Sequence, residues 1–171
     1  MSGRPAELRA VPVSVPAVSV PAVSVPTADA MRALGKRLAA LLRAGDLLIL
    51  SGPLGAGKTT LVQGIGAGLG VRGPVTSPTF VIARVHPGPL VPLIHVDAYR
   101  LGSVLEVDDL DLDTENSVTV VEWGEGLAEG LADDRLDISI SADPDSEQRA
   151  VRITGHGYRW HAALAEAGDR L

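Results

Sequence analysis

The chain has 171 residues, 46% apolar and 21% charged, with a net charge of −6. That is enough for one packed domain of about 100–150 residues plus tails, and it excludes a disordered or fibrous chain. The acidic balance argues against a free-standing nucleic-acid binder, which needs clustered Lys and Arg to neutralise phosphates. The absence of cysteine removes disulfides, thiolate nucleophiles and Cys-ligated metal centres, and is compatible with the cytoplasmic location we expect.

Residues 14–27 read SVPAV-SVPAV-SVPT, a tandem repeat with proline in every copy. Glu7 and the recurring prolines are incompatible with the apolar helix of a secretory signal, and no apolar run reaches the roughly 20 residues that span a bilayer. The segment reads as a mobile extended arm whose last copy, Ser24 to Pro26, enters the fold as an edge strand, where proline is tolerated. From Thr27, an available N-cap, Met31, Leu34, Leu38, Leu41 and Leu42 fall on one helical face that ends before Gly45. Leu47 to Leu50 is a short all-apolar run suited to a central strand covered on both faces. A loop over 51–57 and a helix to about Leu69 follow. Strands are expected at 75–85, 90–97, 117–122, 136–141 and 150–154, with helices at 104–110 and 124–131. This order predicts an α/β fold: a three-layer α/β/α sandwich with a mixed, mostly parallel sheet.

Gly52-Pro-Leu-Gly-Ala-Gly57-Lys58-Thr59 fits G-x-x-x-x-G-K-[ST] and sits between a predicted strand and a predicted helix, the context that gives the motif its meaning. A loop that wraps phosphates must turn successive N–H groups inward through conformations that a β-carbon obstructs, which Gly55 and Gly57 permit. The following helix aims free amides and its positive dipole end at the anion. Lys58, one of only two lysines, supplies a point charge for the β/γ oxygens, and Thr59 a hydroxyl ligand for Mg²⁺. The nucleotide-binding candidates on the loop are thus Leu54, Gly55, Ala56, Gly57, Lys58, Thr59 and Thr60.

A phosphate loop needs acids at the carboxyl ends of neighbouring strands, and Asp97 and Glu122 close two apolar runs. Which of them touches the metal is open on this reading. Of five aromatic residues, Phe80, Tyr99 and Trp123 lie beside polar segments expected around the loop. Thr76-Ser77-Pro78-Thr79-Phe80 has the character of a switch loop, with hydroxyls for a γ-phosphate or a metal-bound water. His95 and Arg100 either pair locally with backbone or acids or stabilise phosphate charge, and a lone strand histidine favours the local role. Between Leu101 and Asp134 there are eleven acids and no Lys or Arg. The segment reads as a solvated acidic face or as a surface for a basic partner.

Taken in series, Gly52–Thr59, Ser77-Pro78-Thr79-Phe80, His95-Val96-Asp97-Ala98-Tyr99-Arg100 and Glu122-Trp123 resemble the bacterial TsaE family, also called YjeE. The resemblance covers roughly 24–155. It implies a P-loop ATPase domain over 24–157, an arm over 1–23, and a tail over 158–171 with room for a short helix. It implies a Mg²⁺-dependent ATPase, weak alone, of the machinery that makes N6-threonylcarbamoyladenosine at position 37 of tRNA. Its partners would be TsaB and TsaD, with tRNA reached through the complex and no membrane association. In that role Lys58 would hold phosphate, Thr59 and Glu122 would bind Mg²⁺, Asp97 would support hydrolysis, and Trp123, Thr27 or Ala28, and the late-strand segment at Gln148-Arg149 would approach the ATP. A small-molecule kinase would need an acceptor pocket and an arginine-rich lid, and no such insertion is present. A nucleotide-sensing module without turnover would use the same residues. The N-K-x-D of GTPases and the L-S-G-G-Q of ABC ATPases are absent.

Overall fold

The computed structural model describes residues 14–171, so the part of the expected arm at 1–13 lies outside the described residues. In chain order the elements are β1 (Val18–Ser19), β2 (Val23–Val25), α1 (Ala28–Ala39), β3 (Leu47–Ser51), α2 (Lys58–Leu69), β4 (Ala83–His86) and β5 (Leu93–Asp97). They continue with α3 (Val104–Asp108), β6 (Val118–Glu122), β7 (Arg135–Ala142), β8 (Arg149–His156) and α4 (Gly157–Ala167).

One sheet of eight strands runs β1-β8-β7-β3-β6-β5-β4, with β2 also on β8. The centre is parallel: β3 lies between β6 and β7, and β5 lies beside β6. Both flanks are antiparallel, β4 on β5 at one edge and β8 on β7 at the other, with β1 and β2 along β8. The antiparallel share is larger than the sequence suggests, because the hairpin arms and the N-terminal repeat add pairings that leave no local mark on the chain. The central runs are buried on both faces, as parallel strands require: Leu48 and Leu50 face α1, α2 and α4, while Leu47 and Ile49 face the opposite layer. That opposite layer is thin, closed by Ala128 and by Leu101, Leu110, Leu112, Leu127 and Leu131 from the segments between strands.

α1 starts where expected, with the Thr27 hydroxyl accepting the Ala30 amide at 3.1 Å. It crosses α2 at close range because glycine stands at the contact. A β-carbon on Gly35 would lie 2.5 Å from the Leu61 carbonyl oxygen and 2.7 Å from the Ile65 nitrogen. This crossing sets the start of α1 against the loop between β3 and α2.

Four expectations change. The strand anticipated at 75–85 begins only at Ala83, since the Val81 and Ile82 amides both turn back to the Pro78 carbonyl and Ile82 takes φ 66°. Donors spent on a turn cannot join a ladder. The helix anticipated at 124–131 is a turn followed by a single 3₁₀ turn, Glu129–Leu131, because Gly126 at φ 78° breaks the helical path. The tail expected at 158–171 holds most of α4, which places Trp160 and Leu164 in the main core and buries Ala167 as well. Finally, the repeat enters the sheet earlier than expected: Val18 and Ser19 pair with Gly155 and Thr154, and Val20 and Val25 are buried. Residues 18–25 therefore form sheet edge and not a free arm.

Candidate nucleotide site

β3 ends at Ser51 and the chain turns through the glycine-rich loop into α2. The turn needs left-handed backbone at Gly55 (φ 77°) and Gly57 (φ 110°), the second being the residue that precedes α2. Gly57 also passes close to α1, where an added β-carbon would meet Met31 Cε at 3.3 Å. The loop is a cradle that side chains would fill.

Lys58 begins α2 and folds back over the loop. Its Nζ donates to the carbonyl oxygens of Gly52 at 2.8 Å and Pro53 at 2.9 Å, and lies 4.0 Å from the centre of the Trp123 ring. Burial pushes the ammonium below the usual lysine range, an effect the carboxylates of Glu122 and Asp97 partly oppose. Trp123 reaches this place because it takes φ 60°, a left-handed conformation rare for a large residue, right after β6, with its amide on the Leu50 carbonyl. Backbone strain of this kind gathers at functional sites. Tyr99 meets the same indole edge-on, 5.2 Å between ring centres.

Parallel register sets the two acids side by side, Asp97 opposite Glu122 at the carboxyl ends of β5 and β6. Both are buried. Glu122 Oε1 accepts from the Thr59 hydroxyl at 2.8 Å and contacts His95 Nε2 at 2.8 Å. Asp97 Oδ2 accepts from Thr79 at 2.8 Å and Ser77 at 3.4 Å, while Oδ1 accepts the Tyr99 amide at 3.0 Å. The 76–80 segment thus reaches the site through its hydroxyls. Phe80 is exposed, with the Arg100 guanidinium over its ring at 5.3 Å. His95 pairs with an acid, the local role its strand position suggested.

Lys58, Thr59, Ser77, Thr79, Asp97 and Glu122 line a cleft of about 320 Å³ with Leu54, Gly55, Gly57, Thr60 and Trp123. On the other side of the loop a second hollow of about 230 Å³ is bounded by Pro26, Thr27, Ala28, Met31, Ala56, Glu147 and Arg149. Gly55, Gly57 and Thr60 border both, so the two form one groove across the loop. The sequence reading places the Gln148-Arg149 segment here: Arg149 borders the hollow beside Glu147, while Gln148 opens into a separate depression beside Ser24 and Asp143. Pro26, Met31 and Glu147 were not anticipated. Met31 carried a signal, one helical turn beyond Ala28 on the face turned to the loop.

Among the described residues no three His, Asp or Glu converge as a metal cage. A threonine hydroxyl fixed by one carboxylate is the donor set that suits Mg²⁺, which takes one or two protein ligands and completes its shell with phosphate oxygens and water. The residues present fit that ion. Among the described residues no helix is long and apolar enough to cross a membrane.

Comparison with known proteins agrees with this geometry. The family model for threonylcarbamoyl adenosine biosynthesis protein TsaE matches residues 25–151. A Streptomyces coelicolor protein named tRNA threonylcarbamoyladenosine biosynthesis protein TsaE is 62% identical over 141 residues, covering 78% of this chain and 95% of its own. A Bacillus subtilis protein of the same name is 39% identical over 138 residues, 79% of this chain and 85% of its own. The crystal structure of Bacillus subtilis YdiB superposes with a TM-score of 0.74 at 29% identity, over 92% of this chain and 99% of that one. With the motif series, the fold and these likenesses all in agreement, the chain belongs to the TsaE family, which takes its name from tRNA threonylcarbamoyladenosine biosynthesis.

Proposed function

We propose that this chain binds ATP with Mg²⁺ in the groove across the loop and hydrolyses it as the ATPase component of the tRNA threonylcarbamoyladenosine machinery. TsaB and TsaD are its protein partners, and tRNA is reached through that complex. The observation that carries the reading is the meeting, in one cleft, of the buried Lys58 ammonium, the Thr59–Glu122 hydrogen bond and the ionisable pair partner Asp97 at the loop.

Each residue has a task on this reading. The loop amides from Gly55 to Thr60 and the start of α2 take the phosphates. Lys58 exchanges the Gly52 and Pro53 carbonyls for β/γ oxygens, an exchange that costs little because the carbonyls are neutral acceptors and the phosphates are charged. Thr59 donates its proton to Glu122 and so keeps its lone pairs for the ion. Thr59 and Glu122 would hold Mg²⁺, which would supply charge neutralisation to the phosphates. Asp97, held by Thr79, Ser77 and the Tyr99 amide, is the acceptor that orients the attacking water. Trp123 closes the cleft beside Lys58, and the second hollow, with Ala28 and Arg149 on its walls, takes the nucleoside.

The test is phosphate release by the full chain, alone and with TsaB and TsaD. Weak release that the partners stimulate strongly is expected. Phosphate appearing on a small metabolite would make the protein a kinase, and nucleotide binding without release in the full complex would make it a sensing module; either overturns the proposal.

A further inference from the structure

His95 is wholly buried on β5, yet among the described residues its side chain makes a single polar contact, Nε2 to Glu122 Oε1 at 2.8 Å. The same Oε1 accepts the Thr59 hydroxyl at 2.8 Å. A carboxylate oxygen offers about two lone pairs and only accepts. Thr59 and His95 therefore saturate Oε1. A carboxylate oxygen only accepts, so Nε2 carries the proton of this contact, and Nδ1 is buried without a hydrogen-bond partner among the described residues. An unpaired buried polar atom costs stability. The flanking strand residues Ile94 and Val96 show what packing alone selects in this strand. An imidazole left half satisfied in such surroundings has its return at Glu122.

We propose that His95 is a positioning residue for the metal side of the site. By filling the second lone pair of Oε1 it fixes the rotation of the Glu122 carboxylate, and the carboxylate in turn fixes the Thr59 hydroxyl with its lone pairs turned to the ion. Register makes this possible: His95 lies opposite Val120, two residues before Glu122, so both side chains leave the sheet on the α2 side, where Thr59 sits in the first turn of the helix. The inference rests on the reading of the cleft as a Mg²⁺–ATP site. It assigns His95 to metal affinity and not to nucleotide affinity, because the loop amides and Lys58 do not touch it.

The test compares variants by reach. In His95→Gln the amide nitrogen falls near the place of Nε2 and still donates to Oε1; in His95→Asn it falls near the place of Nδ1 and does not; His95→Leu keeps volume without a donor. ATP affinity of each full chain is measured by calorimetry without metal and across a Mg²⁺ titration, beside thermal melting. Asn and Leu are expected to need about tenfold more Mg²⁺ for half of the metal-dependent gain, the size typical of outer partners of a metal ligand, with metal-free affinity unchanged. Gln is expected to stay near the native midpoint. Equal midpoints in all three, or Gln shifted as far as Leu, would overturn the role. The native chain gives an independent reading: ¹⁵N-histidine NMR, with the His95 signals identified by their loss in His95→Gln, should show the Nε2–H tautomer. A Nδ1–H tautomer overturns the inference whether or not the variants fold. A native chain with no Mg²⁺-dependent gain at all would instead overturn the ATPase reading beneath it.

Discussion

Replacing Gly35 with alanine tests how the fold builds the groove. The new β-carbon would stand 2.5 Å from the Leu61 carbonyl oxygen, 2.7 Å from the Ile65 nitrogen and 2.8 Å from Gly64 Cα, all backbone of α2, where ordinary contact begins at 3.4 Å. No rotamer relieves this, so α1 must recede by close to 1 Å. Overpacking costs about 1–3 kcal/mol, and a rigid backbone wall places this case near about 3 kcal/mol. Removing a glycine from a helix interior returns about 1 kcal/mol. The net loss of about 2 kcal/mol lowers Tm by about 4–8 °C for a chain of this size. Because the receding helix carries Ala28 and Met31 away from the second hollow, nucleotide affinity falls as well. Circular dichroism melting and calorimetric titration with ATP read the two effects, and Gly130→Ala, whose β-carbon meets nothing within 4 Å, is the matched control. Gly35→Ala melting at or above the native temperature would refute the close crossing as the element that places α1.

Nucleotide binding should change tryptophan fluorescence through Trp123 alone, since Trp160 is sealed in the core; Trp123→Phe is expected to abolish the response, and a retained response would refute the placement. His86 is buried with Nε2 unpaired, and burial, then the neighbouring His95 and Arg84, push its pKa below the usual 6.5. The unfolded chain therefore binds the proton first, so stability should fall as pH drops below 6.5, by a slope of at most one proton. His86→Leu should flatten that slope in urea melts taken across the range, and an unchanged slope would assign it elsewhere.

The loop was legible because its chemistry is local: glycines at fixed offsets after an apolar run dictate the backbone path whatever packs around it. β3, β5 and β6 were legible for a related reason, since buried parallel strands are written as continuous apolar runs. The 75–85 stretch misled because its valine, threonine, phenylalanine and isoleucine suit a strand by composition, while Pro78 and the left-handed Ile82 turn the chain to carry Ser77 and Thr79 to Asp97. Trp160, Leu164 and Ala167 held a helical spacing that identifies α4, but the exposed Tyr158 just before them and His161 between them dilute it. The pairing of the repeat with β8 and the meeting of His95 with Glu122 join distant parts of the chain, and only the assembled sheet reveals them. Gln148 differs from its neighbours by one step along the strand approach, a step that sends alternate side chains to different faces.

The account turns on the glycine-rich loop and its lysine gripping a nucleotide. Calorimetric titration of the full chain with ATP and Mg²⁺, native against Lys58→Ala, measures that grip most directly. Two charge-assisted hydrogen bonds at about 1.5–3 kcal/mol each predict a loss of at least about a hundredfold, seen as no measurable binding. Equal affinity in the two proteins would contradict it.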